Sequence, residues 1–352
     1  MSGVRRPGSV AVVVPNWNGA DRLADSVRSL ARQTYPDLSI VVVDNGSTDD
    51  SVQVLDRLRR EIGRPLVVLR NATNLGFAGG VNTGIRHALA AGFEFVALFN
   101  NDAVAESDWL EHLAAALAEH PDAGIATSRL LMADGKTVDS TGDFLSVWGI
   151  AFPRDRDQPA EPVRPSGYVF SASGGASLYR ATLFDRIGLF DEAYFAYFED
   201  VDLSFRAQLA GLRVFYRSDA VTYHDQGSTS GRIPGFAVEQ MFKNLPMLLV
   251  KNLPLRLWPS VVPRFLLIYP LLLANAVRRG QWRPALRGFA AGVRLSLGHS
   301  IVERLRIQRG RTVDAGYLRE LIWPDLPPGM VIARAARERA RAAIKKLRTM
   351  IR

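Results

Sequence analysis

The chain has 352 residues, 47% of them apolar, and no cysteine, so neither a disulfide framework nor a thiolate metal site is available to it. Its net charge of +9 is unevenly held: residues 1–244 carry 23 basic and 30 acidic side chains, and residues 245–352 carry 21 and 5. A body of net −7 joined to a region of net +16 points to phosphate or anionic lipid as a partner of the basic part.

In chain order, Ser9 to Pro15 (SVAVVVP) reads as a buried strand. The stretch is too short and its flank too polar for a signal peptide, which fits a cytoplasmic setting. The polar loop Asn16-Trp17-Asn18-Gly19 and a helix from Ala20 to Gln33 follow. Leu38 to Val43 predicts a second strand ending in Asp44-Asn45-Gly46-Ser47, and Asp50 to Glu61 a helix. Leu66 to Leu69 is a third strand, and Asn74 to Gly80 a glycine-rich loop opening a helix over Asn82 to Ala90. Glu94 to Phe99 (EFVALF) is a fourth strand that stops at Asn100-Asn101-Asp102, ahead of a helix over 105–120. Strands alternating with helices predict right-handed βαβ units and a mostly parallel sheet.

Arg129 to Pro165 is rich in Gly, Asp, Pro and Arg and predicts loops and short strands. Ser171 to Tyr179 is strand-like, Arg180 to Ile187 and Asp200 to Ala210 are helical, and Leu212 to Tyr216 is a strand leading to His224. Beyond Gly235 the pattern turns helical, over Phe236 to Val250, Arg264 to Arg278, Arg283 to Leu297 and Ile332 to Ile351. The uncharged stretch Phe265 to Val277 falls short of the roughly 20 residues that span a bilayer.

Three polar strand ends carry the chemistry. Open α/β sheets bind ligands at the carboxyl ends of their strands. Asp102, with Asn100 and Asn101 beside it, suits a divalent metal carrying phosphate oxygens, and equally a helix N-cap. Pro15, Asn16, Asn18 and Asp44 make a slot for a base and ribose, or plain turn chemistry. Asn74, Gly76 and Gly79 offer backbone N–H groups at a helix start, suited to a diphosphate. Glu199, Asp200 and Asp202 stand at the start of a helix among aromatic residues. A carboxylate there serves as a general base for a sugar hydroxyl, although capping explains one of the three and Asp202 pairs at helical spacing with Arg206. His224 at a strand end is a structural residue or a ligand for Mn2+.

The ordered set VVVPNWNG, VVVDNGSTD, NLGFAGGVNTG, FNND, FDEAYFAYFEDVDLSFR and HDQGSTSG, from Val10 to Gly231, resembles the family-two glycosyltransferases of GT-A fold, in particular the rhamnosyltransferase-like branch. The resemblance implies a Rossmann-like mixed sheet with a C-terminal helical extension. It implies a catalytic domain over 1–234, divided near 125 into nucleotide-binding and acceptor-binding halves, and an extension over 235–352. It places Asp200, with Glu199, as the base; Asp102 and His224 as ligands of Mn2+ or Mg2+; and Asp44 on the nucleotide. Gly174 and Gly175 pass the donor sugar, and Asn82 lies in the glycine-rich motif. Asn100 replaces the first acid of the family's metal motif. The donor implied is dTDP-rhamnose, with UDP- and GDP-sugars open, and the acceptor a glycan or a polyprenyl-diphosphate-linked sugar.

The basic extension, with Trp258 and Trp282 among its arginines, predicts contact with an anionic membrane surface at the inner face of the cell membrane, or a homodimer contact. Two other functions fit less well. A sugar-phosphate nucleotidyltransferase is expected to carry a basic glycine-rich N-terminal loop, and Asn16 to Gly19 has no Lys or Arg. A nucleic-acid binder leaves the acidic strand ends without a use.

Overall fold

The computed structural model describes residues 5–225, 233–328 and 330. The helix expected over Ile332 to Ile351, and the HDQGSTSG motif beyond Asp225, lie outside the described residues.

The first half is built as the apolar runs dictate. Strands β1 (Arg6–Asn16), β2 (Leu38–Asp44), β3 (Leu66–Arg70) and β4 (Phe93–Phe99) alternate with helices α1 (Ala20–Ala31), α2 (Ser51–Glu61) and α3 (Gly76–Ala90). They form a wholly parallel run in the order β3-β2-β1-β4. Parallel strands are covered on both faces, and β1 shows how. Val10, Val12 and Val14 enter a core with Leu23, Val27 and Leu30 of α1, whereas Ala11 and Val13 enter a second core with Val81 and Ile85 of α3.

The second half extends the same sheet. Short β5 (Ala103–Ala105) precedes α4 (Trp109–Glu119) and β6 (Ala123–Met132). Then come β7 (Val138–Ser140), β8 (Asp143–Leu145), β9 (Ala151–Pro153), β10 (Gly167–Val169), β11 (Ala176–Arg180), α5 (Ala181–Ile187), α6 (Glu199–Leu209) and β12 (Arg213–His224). The full path is β10-β12-β6-β11-β4-β1-β2-β3. β11 opposes both β4 and β6, so β6 and its parallel neighbour β12 run with the first four strands. The sheet is therefore mixed but mostly parallel, and most strand ends point to one edge.

The extension consists of α7 (Phe236–Asn252), α8 (Trp258–Arg278), α9 (Trp282–Leu295), α10 (Ile301–Arg309), entered through a π-helical stretch Ser296–Ser300, and α11 (Ala315–Leu321). A third core joins it to the body: Phe170, Val201 and Phe205 pack with Phe242, Leu245, Leu249 and Phe265.

The strand β6 and the helices α10 and α11 had no counterpart in the sequence reading, and three further elements differ from it for identifiable reasons. The glycine-rich stretch is not a loop: α3 begins at Gly76, whose positive φ starts the helix under the Phe195 carbonyl. The helix expected over 105–120 begins only at Trp109, because Ala103 to Ala105 form a short strand paired with Thr222 to His224 of β12. α8 begins six residues earlier than expected. The resulting helical stretch from Leu255 to Arg278 is long and apolar enough to cross a membrane by length and composition, unlike the shorter uncharged run read from the sequence.

Candidate active site

The register of the parallel strands brings the polar ends together. Asn16 pairs with Asp44 across β1 and β2, and β4 ends beside them. Pro15, Asn16, Asn45, Asn74, Gly76 and Phe77 line one side of a cleft of about 1080 Å³. Asn100, Asn101, Asp102 and His224 line its centre, and Ser173 to Gly175 with Phe195 to Val201 close the other side.

Much of the expected nucleotide side is occupied by its own scaffolding. Asn16 Oδ1 accepts from Asn101 Nδ2 (2.7 Å), and Asn18 Oδ1 accepts from the Thr48 N–H (2.8 Å). Asn74 Oδ1 accepts from the Gly76 N–H and from Asn45 Nδ2. Asn82 is buried away from the cleft, donating to the Phe190 carbonyl and to Glu192. Gly79 packs inside the first turns of α3, where a Cβ would meet Leu75. Asp44 is different: it is buried, and its Oδ1 has no donor among the described residues. Buried acceptors are normally satisfied, so this oxygen is open to a further donor, although Asn45 and not Asp44 lines the cleft itself.

At the centre, the pairing of Ala103 with His224 sets Asp102 beside the imidazole. His224 Nε2 lies 3.2 Å from Asp102 Oδ1 and 3.2 Å from Asn100 Nδ2. Its Nδ1 lies 2.7 Å from Asp139 Oδ2, and Arg156 holds Asp139 Oδ1 at 2.6 Å. Burial would lower the His224 pKa, but the two carboxylates outweigh it and push the ring up to about 9. A carboxylate and an imidazole whose second nitrogen is oriented by another carboxylate form a donor set that fits a divalent ion. Among the described residues no group of three such side chains encloses an ion by itself, so oxygens of a bound diphosphate would have to complete the shell.

The opposite wall carries Asp200. Its Oδ2 accepts from the Gly174 N–H (2.9 Å) and its Oδ1 from the Val201 N–H (2.8 Å). Gly174 allows this approach, since a Cβ there would lie 3.2 Å from the Phe77 ring. The next residue, Gly175, accepts from the Asn100 N–H (2.9 Å), so one short loop ties Asp200 to the strand end bearing Asp102. Burial raises the Asp200 pKa, and the two N–H groups oppose the rise. Glu199 is buried at the cleft wall, and burial followed by the Asp200 charge raises it well above the usual range. Asp202 serves the structure: buried, it binds Arg206 (2.9 Å), Lys251 (3.0 Å) and Asn252 (2.8 Å).

The loop before these acids is strained. Phe195, Tyr197 and Phe198 all have φ between 63° and 68°, and the Ala196 N–H donates to Tyr194 O (2.7 Å) across a three-residue turn. The extension holds it: Asn244 Nδ2 donates to the carbonyls of Tyr194, Ala196 and Tyr197, and Lys243 Nζ to that of Tyr194. Strain that persists at a cleft is maintained by its surroundings. The sequence reading had no means of naming Asp139, Arg156 or Asp143. Asp143 lines the cleft, and burial pushes its carboxyl up to about 7, with the Asp200 charge adding to the rise.

An acid-lined cleft at the carboxyl edge of a largely parallel sheet is where such folds bind their ligands, and solved structures of GT-A type share this fold. The chain is similar to the Staphylococcus aureus TarS structure (TM-score 0.52, 18% identity, covering 86% of this chain and 90% of that one). It is equally similar to the mannosyltransferase PcManGT of Pyrobaculum calidifontis, solved with GDP-Man and Mn2+ (TM-score 0.52, 16% identity, 89% and 82%). Residues 7–245 match the glycosyltransferase-like family 2, and the chain belongs to that family. Among its relatives is an N-acetylglucosaminyl-diphospho-decaprenol L-rhamnosyltransferase of Mycobacterium tuberculosis, 28% identical over 63% of this chain and 78% of that one. Another is a PGL/p-HBAD biosynthesis glycosyltransferase of Mycobacterium bovis, 27% identical over 72% and 92%.

Proposed function

We propose that the protein is an inverting hexosyltransferase that moves a sugar, rhamnose from dTDP-rhamnose in the first instance, to a hydroxyl of a polyprenyl-diphosphate-linked or cell-surface glycan. The observation that carries the reading is the placement of Asp200, held by the Gly174 N–H across the cleft from Asp102 and His224. Asp44 receives a donor from the base or ribose, and Asn100 and Asn101 border the sugar. Asp102 and His224 would hold Mn2+ or Mg2+, which when bound would supply positive charge toward the departing diphosphate. Asp200 takes the acceptor proton, and its raised pKa makes it a stronger base. Attack from the face opposite the leaving group inverts the anomeric centre. A galactosyl or other hexosyl donor uses the same residues. The 28% identity to a rhamnosyltransferase supports rhamnose, and UDP- or GDP-linked sugars are the competing donors in the same assay.

The test is Asp200→Asn. Transfer is expected to fall about 10²-fold or more, the usual scale for loss of a general base, while calorimetry shows unchanged binding of the nucleotide. Near-normal turnover in this variant would sink the assignment.

A further inference from the structure

Among the described residues, thirteen of the seventeen exposed large apolar side chains fall between Leu255 and Leu305. On α8 they follow helical spacing: Leu266, Leu267, Leu271 and Val277 are 64%, 65%, 53% and 46% exposed. The opposite face, with Phe265, Ile268 and Tyr269, is buried, and the Tyr269 hydroxyl donates to Phe242 O. On α9 the stripe is Trp282, Leu286, Phe289 and Val293, and it continues through Leu297 to Val302 of α10. A helix of a soluble body turns its apolar stripe inward; here a second stripe faces out.

The charge around this face selects its occupant. Between Leu255 and Leu305 the sequence holds eight arginines and one acid, Glu303. Arg256, Arg264, Arg278, Arg279, Arg283 and Arg294 are exposed among the apolar residues. A second copy meeting the same patch by two-fold symmetry would set arginine against arginine. Anionic lipid headgroups complement them, while the leucines enter the acyl boundary and Trp282 sits at the interface.

We propose that the α8–α9–α10 face docks on an anionic bilayer as a peripheral contact, with the mouth of the cleft turned to the headgroups. Gln281, immediately before Trp282, lines the cleft. Gly235, at the same rim, abuts Pro284: a Cβ there would lie 2.6 Å from the proline ring. Phe236 then meets Phe195 and Tyr197 at centroid distances of 6.1 and 6.0 Å, giving an aromatic wall from the docking face to the acids. This rests on the transferase reading only for its purpose, delivery of a lipid-linked acceptor to Asp200. α8 lies on the surface rather than spanning, because spanning would strip Phe265, Ile268 and Tyr269 from the core.

Flotation of the full chain with phosphatidylcholine vesicles, with and without about a third phosphatidylglycerol, tests the docking without a donor or acceptor. The wild type is expected to float with the anionic vesicles and to be released by alkaline carbonate. The combined substitution L266Q, L267Q, F289Q and L297Q is expected to lower the bound-to-free ratio at least about tenfold, with circular dichroism and melting temperature unchanged. The absence of cysteine allows single fluorescent labels. A label at Leu286→Cys shifts to the blue on addition of anionic vesicles, and one at Asp56→Cys on α2 does not. Undiminished flotation of the quadruple variant assigns binding to the basic residues outside this face, such as those beyond residue 331, and overturns the proposal. A wild-type dimer that the same variant dissolves, without flotation, assigns the face to a second copy and overturns it too. Flotation as expected with no transferase activity would leave the docking standing and remove the proposed function.

Discussion

Asp139 orients the imidazole of His224. It reaches His224 Nδ1 at 2.7 Å and is itself held by Arg156, so the Nε2 side of the ring faces Asp102. Removing such an outer carboxylate typically weakens metal affinity about 10–100-fold. Asp139→Ala is therefore expected to weaken Mn2+ binding by that factor in calorimetry with nucleoside diphosphate present, with the fold intact by circular dichroism. Equal affinity in the two proteins would remove Asp139 from the site. The acids at strand ends were visible in the sequence because each follows an apolar run, as EFVALF precedes Asn100 and LSIVVV precedes Asp44. Asp139 and Asp143 were not, because they stand on three-residue strands in a Gly- and Pro-rich stretch with no period. Only the tertiary pairing of β7 with β6 brings Asp139 to His224.

At the scale of elements, the start of α6 is fixed from the extension. Asp202 and Asp191 share Lys251 of α7, at 3.0 and 2.5 Å, and His299 lies 2.8 Å from Asp191. Burial works to raise the Asp191 carboxyl, but Lys251 and His299 outweigh it and hold the group at about 2. A folded pKa below the ordinary 3.8 means stability fully present above that value and lost as pH falls from about 4 toward 2. Lys251→Met leaves the buried Asp202 and the half-buried Asp191 short of a partner and is expected to cost about 3–5 kcal/mol in denaturant unfolding at neutral pH. The loss should shrink when unfolding is measured near pH 3, where the lost partner matters less; a pH-independent difference would mean that Lys251 acts through packing. The spacing of Asp202 and Arg206 made their ion pair legible in the sequence, whereas Lys251 and Asn252 are some fifty residues away and gave no local signal. Most helices were legible, but α10 and α11 were not, and boundaries failed where a partner decided them, as with Gly76 under Phe195 and Ala105 against β12.

Across the whole molecule, composition divides the chain near 235, and physical contacts join what composition divides. α7 covers Phe170, Val201, Phe205 and Leu209 of the body, its Asn244 holds three carbonyls of the strained loop before Glu199, and its Lys251 and Asn252 satisfy Asp202. Losing α7 would expose an apolar surface and leave a buried carboxylate with Arg206 as its principal partner. Each of these alone is destabilising by a few kcal/mol, against a total stability of about 5–15 kcal/mol for a typical protein. A chain ending at residue 234 is therefore expected to aggregate or to bind the hydrophobic dye ANS strongly, and to show no thermal stabilisation by nucleoside diphosphate. Asn244→Ala in the full chain separates the two consequences: it keeps the apolar cover and removes three hydrogen bonds to the Tyr194–Tyr197 carbonyls. That variant should remain folded, with a lower melting temperature and a fall in kcat larger than the change in KM for donor. A monomeric, cooperatively unfolding chain 1–234 that binds nucleoside diphosphate would restore the division at 235 and make α7 an accessory to the docking face alone.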